Sequence, residues 1–579
     1  MCKTKRWGNK KTITSISSLL FHYLCATLQL SSAHINYTMK REKLFKYLSF
    51  GLFALITAIL MVATIMEKLH GTEYALENIY CSHWMIALWT VATLSAIVYI
   101  LQRKLHRQPA TLCLHLSFAV ILIGALVTHT TGKQGQTHLR IGELANQYTL
   151  DDGSTDKLPF SISLDNFEVA RYAGSEAPMD FVSSIVIFDD ERTAGSVSMN
   201  NIFKHRGYRF YQSGYDNDEK GTFLSISYDP WGIGITYAGY AMLLLSMLLF
   251  FVQPGSRFRA ALRKGRNIAI ILLMLFVSTT SNARNMQHIP AKGNAIALQG
   301  ANYGAEALYD SMSDNRPLAI TCLATGTILF VLFCINRKEN RARQKLASWI
   351  KIIAWITAAY LSLQIALRWH IGGHIPLSNG YETMVFMAWL SILMTPIAGN
   401  RVKEMLPFGY IVCGLALLVS TFGDSKEQIA PLAPVLRSPL LSIHVVVIMI
   451  AYTLLAFTML NGIAAVAIKL TRKNREEEIA ELQRTSILML YPAVFLLTAG
   501  IFIGAVWANV SWGRYWGWDP KEVWALITML VYSATLHSGS IKAMRRPMFF
   551  HIYCILAFLT VLITYFGVNF ILGGMHSYA

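Results

Sequence analysis

The sequence predicts an all-α polytopic membrane protein of about thirteen transmembrane helices with one β-rich extracytoplasmic domain, and three observations support this fold class. The 579-residue chain is 54% hydrophobic and only 15% charged, with a mean hydropathy of +0.40, which is too apolar for a soluble protein of this length. Apolar runs long enough to span a bilayer recur along the chain. Basic runs lie between them, so the net charge of +18 reflects membrane topology and does not indicate nucleic-acid binding.

The apolar runs and the basic runs together predict a topology. Placing the basic runs at 40–43, 103–107, 257–266, 337–345, 469–476 and 542–546 inside gives one alternation, with the chain starting inside and ending outside. The predicted spans lie near 46–66, 84–102, 110–130, 232–252, 267–282, 317–335, 346–367, 381–397, 407–423, 441–467, 486–506, 523–541 and 548–571.

One long polar segment interrupts the spans. Residues 131–231 alternate apolar and polar side chains in PFSISLDNFEV, FVSSIVIF and TFLSISYDP, which is typical of β-strands. The expected organisation is therefore three spans in 39–130, the β-rich domain in 131–231, spans and an outer linker in 232–316, and a second membrane domain in 317–579.

Two parts of the chain leave alternatives open. Met39 followed by KREKLF reads as a natural start, so residues 1–38 are either a mis-assigned N-terminal extension or part of the protein. The short span near 267–282 ends in STTSNAR, a sequence typical of a signal-peptide cleavage region, which leaves a retained span or cleavage near 283.

Histidines inside apolar runs are the first functional signal, because a polar ring in hydrocarbon is costly without a partner. His115 and His537 both lie roughly 8–9 Å from the inner boundary, counting 1.5 Å of rise per residue, so they are expected to face each other. His444 and His576 form a second expected pair on the outer side. His129, at the outer end of its span, is a weaker alternative to His115.

The stretch SWGRYWGWDPKEVW at 511–524 is the second signal. Five of the thirteen tryptophans fall within 507–524, which is expected to be an external loop on the outer face, and none of the residues around them is a candidate nucleophile. Tryptophans at a membrane surface usually form an aromatic belt. Their close spacing instead favours a flat apolar platform that, with histidine pairs, suits haem. These tryptophans are Trp507, Trp512, Trp516, Trp518 and Trp524.

The residues resemble a known family. WGRYWGWDPKEVWALIT (512–528) and the TLH at 535–537 are similar to the tryptophan-rich haem-handling signature of the system II cytochrome c synthetases. The likeness continues in SNGYETMVF (378–386), SIHVVVIMIAY (442–452) and the terminal FGVNFILGGMHSYA. In the first half, LHLSFAVILIGALVTH (114–129), YRFYQSGYD (208–216) and SYDPWGIGITYAGY (227–240) more loosely resemble the ResB-like partner subunit. The whole chain is therefore similar to fused synthetases with a CcsA-like second half.

The resemblance implies site residues. His115 and His537 would hold haem b in the membrane, while His444 and His576 would ligate its iron externally, with the tryptophans and Asp519 positioning it. Arg514 and Lys521 either pair with the haem propionates or serve as local partners of Asp519 and Glu522. Two residues depart from the family pattern: Met529 replaces a common tryptophan, and Ser538 replaces a usual basic residue.

The resemblance also implies a reaction, partners and a location. Haem would be exported across the bacterial cytoplasmic membrane and joined by thioether bonds to the CxxCH motif of an apocytochrome c, which thioredoxin-like proteins keep reduced. The active site would lie on the periplasmic face. Two rival functions stay open: a haem exporter without ligation activity, and a bis-histidine cytochrome b that anchors a quinone-linked enzyme.

Overall fold

A computed structural model describes residues 42–105, 108–172, 175–253, 295–335, 341–399, 402–422, 429, 431–471 and 475–573 of the chain. Three of the sequence predictions therefore lie outside the described residues. They concern the N-terminal extension at 1–38, the short span at 267–282, and His576.

Thirteen helices account for most of the described chain. Their bounds are α1 Glu42–His70, α2 His83–Gln102, α3 Pro109–Thr131, α4 Gly232–Val252, α5 Ala295–Met312, α6 Arg316–Ile335, α7 Arg341–Gly372, α8 Gly380–Ala398, α9 Met405–Ser420, α10 Pro439–Thr471, α11 Glu476–Trp512, α12 Pro520–Leu536 and α13 Pro547–Leu562. The last of these continues as a π-helix over Ile563–Leu572.

Ten helices of the described part are long and apolar enough to cross a membrane, and each coincides with a predicted span. The spans expected at 407–423 and 523–541 correspond to the shorter helices α9 and α12, of 16 and 17 residues. The fold is thus the predicted helical membrane class. Helix α5 is the one labelled helix that no predicted span covers, and it has a more amphipathic sequence, AIALQGANYGAEALYDSM.

Local sequence signals set several helix ends. Pro109 and Pro520 occupy the first turns of α3 and α12, where a missing N–H costs nothing. Asn379 caps α8 by accepting a 3.0 Å hydrogen bond from the Glu382 N–H. Helix α11 ends at Trp512, and its C-cap residue Gly513 has a φ of +80°, which suits glycine.

The polar segment forms an eight-stranded antiparallel sheet, as its alternating pattern predicted. The strands are β1 Lys133–Arg140, β2 Leu144–Leu150, β3 Thr155–Arg171, β4 Pro178–Phe188, β5 Arg192–Ser198, β6 Phe203–His205, β7 Tyr208–Tyr215 and β8 Gly221–Tyr228. Their order in the sheet is β5-β4-β3-β2-β1-β8-β7-β6. An isolated antiparallel bridge between Ser198 and Asn201 lies in the turn that connects the two edge strands, β5 and β6.

Alternate residues of these strands form the core of the sheet domain. Ile162 and Leu164 of β3 are fully buried, as are Phe210 of β7 and Leu224 of β8. Helices α3 and α4 connect directly to β1 and β8, so the sheet lies at one end of these helices. We call this end the sheet side of the helix bundle and the other end the far side.

Candidate functional site

The far side of the bundle brings together the two histidines that the depth argument paired. The His115 ring on α3 and the His537 ring lie with their centroids 6.0 Å apart and their planes at 83°. Helix α12 ends at Leu536, earlier than the predicted span, because the sequence HSGS turns the chain there. His537 is therefore the residue that caps the helix, and both rings are half-buried.

Each ring of this inner pair is oriented by its own helix. His115 Nδ1 lies 2.7 Å from the Thr111 carbonyl oxygen, and His537 Nδ1 lies 2.8 Å from the Ser533 carbonyl oxygen. A carbonyl only accepts, so both Nδ1 atoms carry the proton and both Nε2 atoms carry the lone pair that a metal takes. The pair is thereby prepared for ligation through Nε2.

Helices α1 and α2 complete the surroundings of the inner pair. Phe50 meets the His537 ring edge to face at 5.6 Å and the Tyr99 ring at 6.2 Å. The Tyr99 hydroxyl is hydrogen-bonded to Ser540 Oγ at 2.8 Å, which fixes the turn after His537. His129 is exposed in the last turn of α3, at the sheet side, and does not share the site of His115.

His444 lies at the sheet side, near the start of α10. Its Nδ1 donates to the Gly500 carbonyl oxygen of α11 at 2.7 Å, so Nε2 again carries the lone pair. A Cβ atom at Gly504, one turn further along α11, would lie 2.7 Å from the same Nδ1. Glycine at 504 therefore leaves the room that the imidazole occupies.

The tryptophan-rich loop is shorter than the sequence predicted. Trp507 and Trp512 belong to the last turns of α11, Trp524 belongs to α12, and the irregular segment is 513–519. Between Pro492 and Gly513 the sequence has no proline, and its two glycines, Gly500 and Gly504, pack closely against α10, so α11 continues this far.

The tryptophan rings do not lie in one plane, so the expected flat platform is replaced by an angular arrangement. The Trp507 and Trp512 rings meet at 63° with centroids 4.9 Å apart, and the Trp516 and Trp518 rings meet at 88° and 5.8 Å. Trp507 is buried among the helices because it lies on the packed face of α11. The half-buried rings are those of Trp512, Trp516 and Trp518.

Polar groups fix the junction of the loop and α12. Asp519 caps the helix by accepting from the Lys521 N–H at 2.9 Å, and Glu522 Oε2 accepts from the Gly517 N–H at 2.8 Å. Lys521 Nζ donates to Asn569 Oδ1 at 2.9 Å in the terminal π-helix. Arg514 lies half-buried within the loop itself.

Other parts of the chain hold the loop in place, and no sequence pattern indicated these contacts. The Tyr515 hydroxyl donates to Thr128 Oγ1 of α3 at 3.0 Å. Ser511 Oγ donates to Asn200 Oδ1, in the turn between β5 and β6, at 2.6 Å. The first half of the chain, including its sheet, therefore lies directly against the tryptophans of the second half.

A buried ion pair was also missed. Arg368 Nε donates to Glu382 Oε1 at 2.7 Å, and both side chains are almost fully buried. The Ser378 N–H and hydroxyl each donate to Glu382 Oε2 at 2.7 Å. A charged residue within an apolar span is the signal that could have revealed this pair, and Glu382 lies inside the SNGYETMVF motif.

The structure is a helical membrane bundle with an N-terminal antiparallel sheet, histidines at both ends and tryptophans packed between its halves. These features define a polytopic membrane protein with a sheet domain, and comparison with known proteins identifies its family. The family described as Cytochrome C assembly protein matches residues 377–576, and the ResB-like family matches residues 102–229.

Individual relatives agree with both matches. Protein NrfI of Wolinella succinogenes is 22% identical across 91% of this chain and 94% of its own length. The cytochrome c biogenesis protein CcsA of Guillardia theta is 35% identical across 83% of its own length, and that of Chlamydomonas reinhardtii is 36% identical across 67%. The chain belongs to the CcsA family of cytochrome c biogenesis proteins and carries a ResB-like N-terminal half, which confirms the resemblance to fused system II synthetases.

Proposed function

We propose that this chain carries haem across the cytoplasmic membrane and attaches it covalently to the CxxCH motif of apocytochromes c. The observation that carries this proposal is the inner histidine pair, whose rings lie 6.0 Å apart. An iron bound between two imidazoles, with Fe–N bonds of about 2 Å, needs ring centres at about this separation.

The rest of the inner site suits a porphyrin iron in transit. A histidine pair provides two axial ligands, and a porphyrin brings the other four nitrogens with it. His115 and His537 would therefore receive haem b at the far side, which the positive-inside rule predicts to be the cytoplasmic face.

The second proposed site is at the sheet side, on the periplasmic face. His444, with its Nδ1–H bonded to Gly500, would present Nε2 to the iron, and His576 would be the opposite ligand. Trp512, Trp516 and Trp518 would contact the macrocycle, while Trp507, Trp524 and Asp519 hold the loop. Lys521 and Arg514 are candidate partners of the propionates, and the alternative is that they serve as local partners of Asp519 and Glu522. Lys521 Nζ also donates to Asn569 Oδ1.

The proposed chemistry requires no nucleophile from this chain. Each cysteine thiol of the CxxCH segment adds across one haem vinyl group: sulfur bonds to one carbon, and a hydrogen is added to the neighbouring carbon. The enzyme contributes position, because holding haem and peptide together raises their effective concentration. The peptide thiols must arrive reduced, which is the role proposed for thioredoxin-like partners.

The rival functions predict different products. An exporter without ligation activity would release haem and leave an apocytochrome unmodified. A cytochrome b anchor would keep its haem, and it would have no use for a tryptophan loop packed between the two halves. The two histidine sites on opposite sides of one bundle favour transfer followed by attachment.

A reconstitution tests the proposal. The chain is expressed with an exported CxxCH reporter in a bacterial host that lacks its own synthetase, and covalent haem on the reporter is measured after denaturing electrophoresis. A reporter with SxxSH in place of CxxCH is the matched control. We expect covalent haem on the first reporter alone, and its absence from both would contradict ligation.

The cargo can be tested separately. Because haem would be bound here only by histidine nitrogens, the purified protein should carry haem that acid acetone extracts fully. Haem and protein are quantified from the same sample of haem-replete cells. Haem-free protein would count against both the transport step and the attachment step.

A further inference from the structure

The segment between α1 and α2 approaches the tryptophan loop, although neither family match covers it. Helix α1 ends at His70, and Gly71, with φ of +93°, turns the chain into a short helical segment over residues 72–80. This segment closes as a π-helix, Leu76–Tyr80, whose last residue is directed back onto the loop. The turn at Gly71 thus places Tyr80 beside the second half of the chain.

The Tyr80 ring stacks on Trp518. The two centroids lie 4.9 Å apart with the planes only 10° from parallel, and Tyr80 is 2% exposed. Of the ring contacts around the loop, this one is parallel, whereas those between its tryptophans are edge to face. One face of Trp518 is therefore covered by a residue of the first half.

Trp518 needs such support. Its φ of +57° lies in the left-handed region, which a bulky residue occupies only when its surroundings hold it there. Stacking against the buried Tyr80 ring supports the indole in this orientation, and the Trp516 ring packs against it edge to face. Because Tyr80 occupies one face, a ligand reaches Trp518 only from its other side or its edges.

Two further contacts tie α1 to the same place. Glu67 Oε2 accepts from the Tyr80 hydroxyl at 3.3 Å, and Glu67 Oε1 accepts from Thr72 Oγ1 at 3.1 Å. Thr64 Oγ1 accepts from the Trp524 Nε1–H at 3.1 Å. Burial, followed by the nearby Glu67 carboxylate, holds the pKa of the Tyr80 phenol well above its usual range, so the phenol remains a donor. The 3.3 Å bond is long, so the stacked ring contributes more than the hydroxyl.

We propose that Tyr80 is a positioning residue of the outer haem site: it covers one face of Trp518 and holds the strained Trp518 backbone so that the loop presents its remaining aromatic surface to haem. This inference rests on the proposed function, since it concerns the outer site of that function. It gives the first membrane helices a role at the outer site.

Three variants test the inference in the full-length protein. Tyr80→Leu removes the aromatic ring, Tyr80→Phe keeps the ring and removes only the hydroxyl, and Tyr74→Leu changes an exposed tyrosine of the same segment. Inner-site haem is measured for each variant as the haem that it retains when His444→Ala is added, and outer-site haem is the total haem of that variant minus this amount. Holocytochrome yield is measured with the CxxCH reporter.

We expect Tyr80→Leu to retain about fivefold less haem at the outer site, as the loss of one stacked aromatic pair predicts, with inner-site haem unchanged. Tyr80→Phe should stay within about twofold of the wild type, because stacking is kept. Tyr74→Leu should match the wild type. Normal outer-site haem and normal yield in Tyr80→Leu would overturn the inference, as would equal loss of haem from both sites.

A haem-free measurement separates this inference from the proposed function. Near-ultraviolet circular dichroism of the haem-free protein reports the environment of Trp518 whether or not haem is the substrate. Tyr80→Leu should change the spectrum in the same direction as Trp518→Phe, and an unchanged spectrum would overturn the stacking role. If the wild type binds no haem but Tyr80→Leu still changes the spectrum in this way, the proposed function alone is refuted and the stacking role stands.

Discussion

The inner histidine pair and the tryptophan loop are built in different ways. Each inner ring is oriented by a carbonyl four residues earlier in its own segment, at Thr111 and Ser533. The loop instead depends on distant residues, including Tyr80 after α1, Thr128 of α3 and Asn200 of the sheet. The orientation of each inner ring is thus set locally, whereas the loop is positioned by contacts with distant segments.

This difference explains why the two halves belong together. The inner pair takes one histidine from each half, His115 and His537, and the loop of the second half is supported by the first. Substitutions far from the loop should therefore weaken the outer site, whereas the inner site should respond mainly to changes in the histidines. The Tyr80 variants test a support that is distant in sequence. Substitutions of the loop tryptophans, of Gly504 and of Tyr515 test whether the outer site responds while the inner site does not, in order of decreasing effect.

Replacing Trp512, Trp516 and Trp518 together by alanine should lower haem retention at the outer site about a hundredfold, because three aromatic contacts are lost. The inner site should keep its haem. The measurement is haem per inserted protein together with holocytochrome yield.

The matched control replaces the same three residues by phenylalanine, which keeps part of the aromatic surface. It should retain more haem and more maturation activity than the alanine variant. An aromatic belt predicts poor insertion but normal loading, so a fully loaded and active triple-alanine protein would refute the haem contact.

Gly504→Ala should act on His444. The new Cβ would lie 2.7 Å from Nδ1, so the ring must move and its bond to the Gly500 carbonyl is lost. We expect about tenfold weaker haem retention at the outer site, as for the loss of one buried hydrogen bond. Gly51→Ala is the control, since no atom lies within 4 Å of its Cβ position. Equal haem in the two variants would show that His444 is not a ligand.

Tyr515→Phe should have the smallest effect. It removes the hydroxyl that donates to Thr128 Oγ1 and accepts from Thr236 Oγ1, so each threonine hydroxyl has one partner fewer. We expect outer-site haem to fall about threefold, with inner-site haem unchanged. Tyr215→Phe, in the exposed part of β7, should match the wild type. A larger loss at the inner site than at the outer site would contradict the contrast between the two.

Features set by regular geometry could be predicted from the sequence. The pairing of His115 with His537 was predictable because helix rise is constant, so counting residues from a membrane boundary gives depth. The β-rich segment and the start of α12 at Pro520 were predictable from alternation and from proline. The predictions of the β-rich segment and of the start of α12 needed only neighbouring residues.

The remaining contacts depend on the packing of distant segments. The stack of Tyr80 on Trp518 joins two segments that no periodicity relates, and the angles between the tryptophans depend on where α11 ends. The predicted platform was therefore too flat and the predicted loop too long. Arg368 and Glu382 were detectable singly as charges in apolar spans, but their pairing was not.

Haem content in His115→Ala tests the central proposal, which is that haem reaches the outer site through the inner pair. Total haem per protein is compared in the wild type, in His444→Ala and in His115→Ala, all purified from haem-replete cells. The account predicts that His444→Ala keeps the inner haem and that His115→Ala keeps almost none, because the outer site is filled through the inner one. The haem that His444→Ala loses corresponds to the outer site. If His115→Ala still retains that amount, the outer site is filled without the inner pair, which would contradict the ordered path.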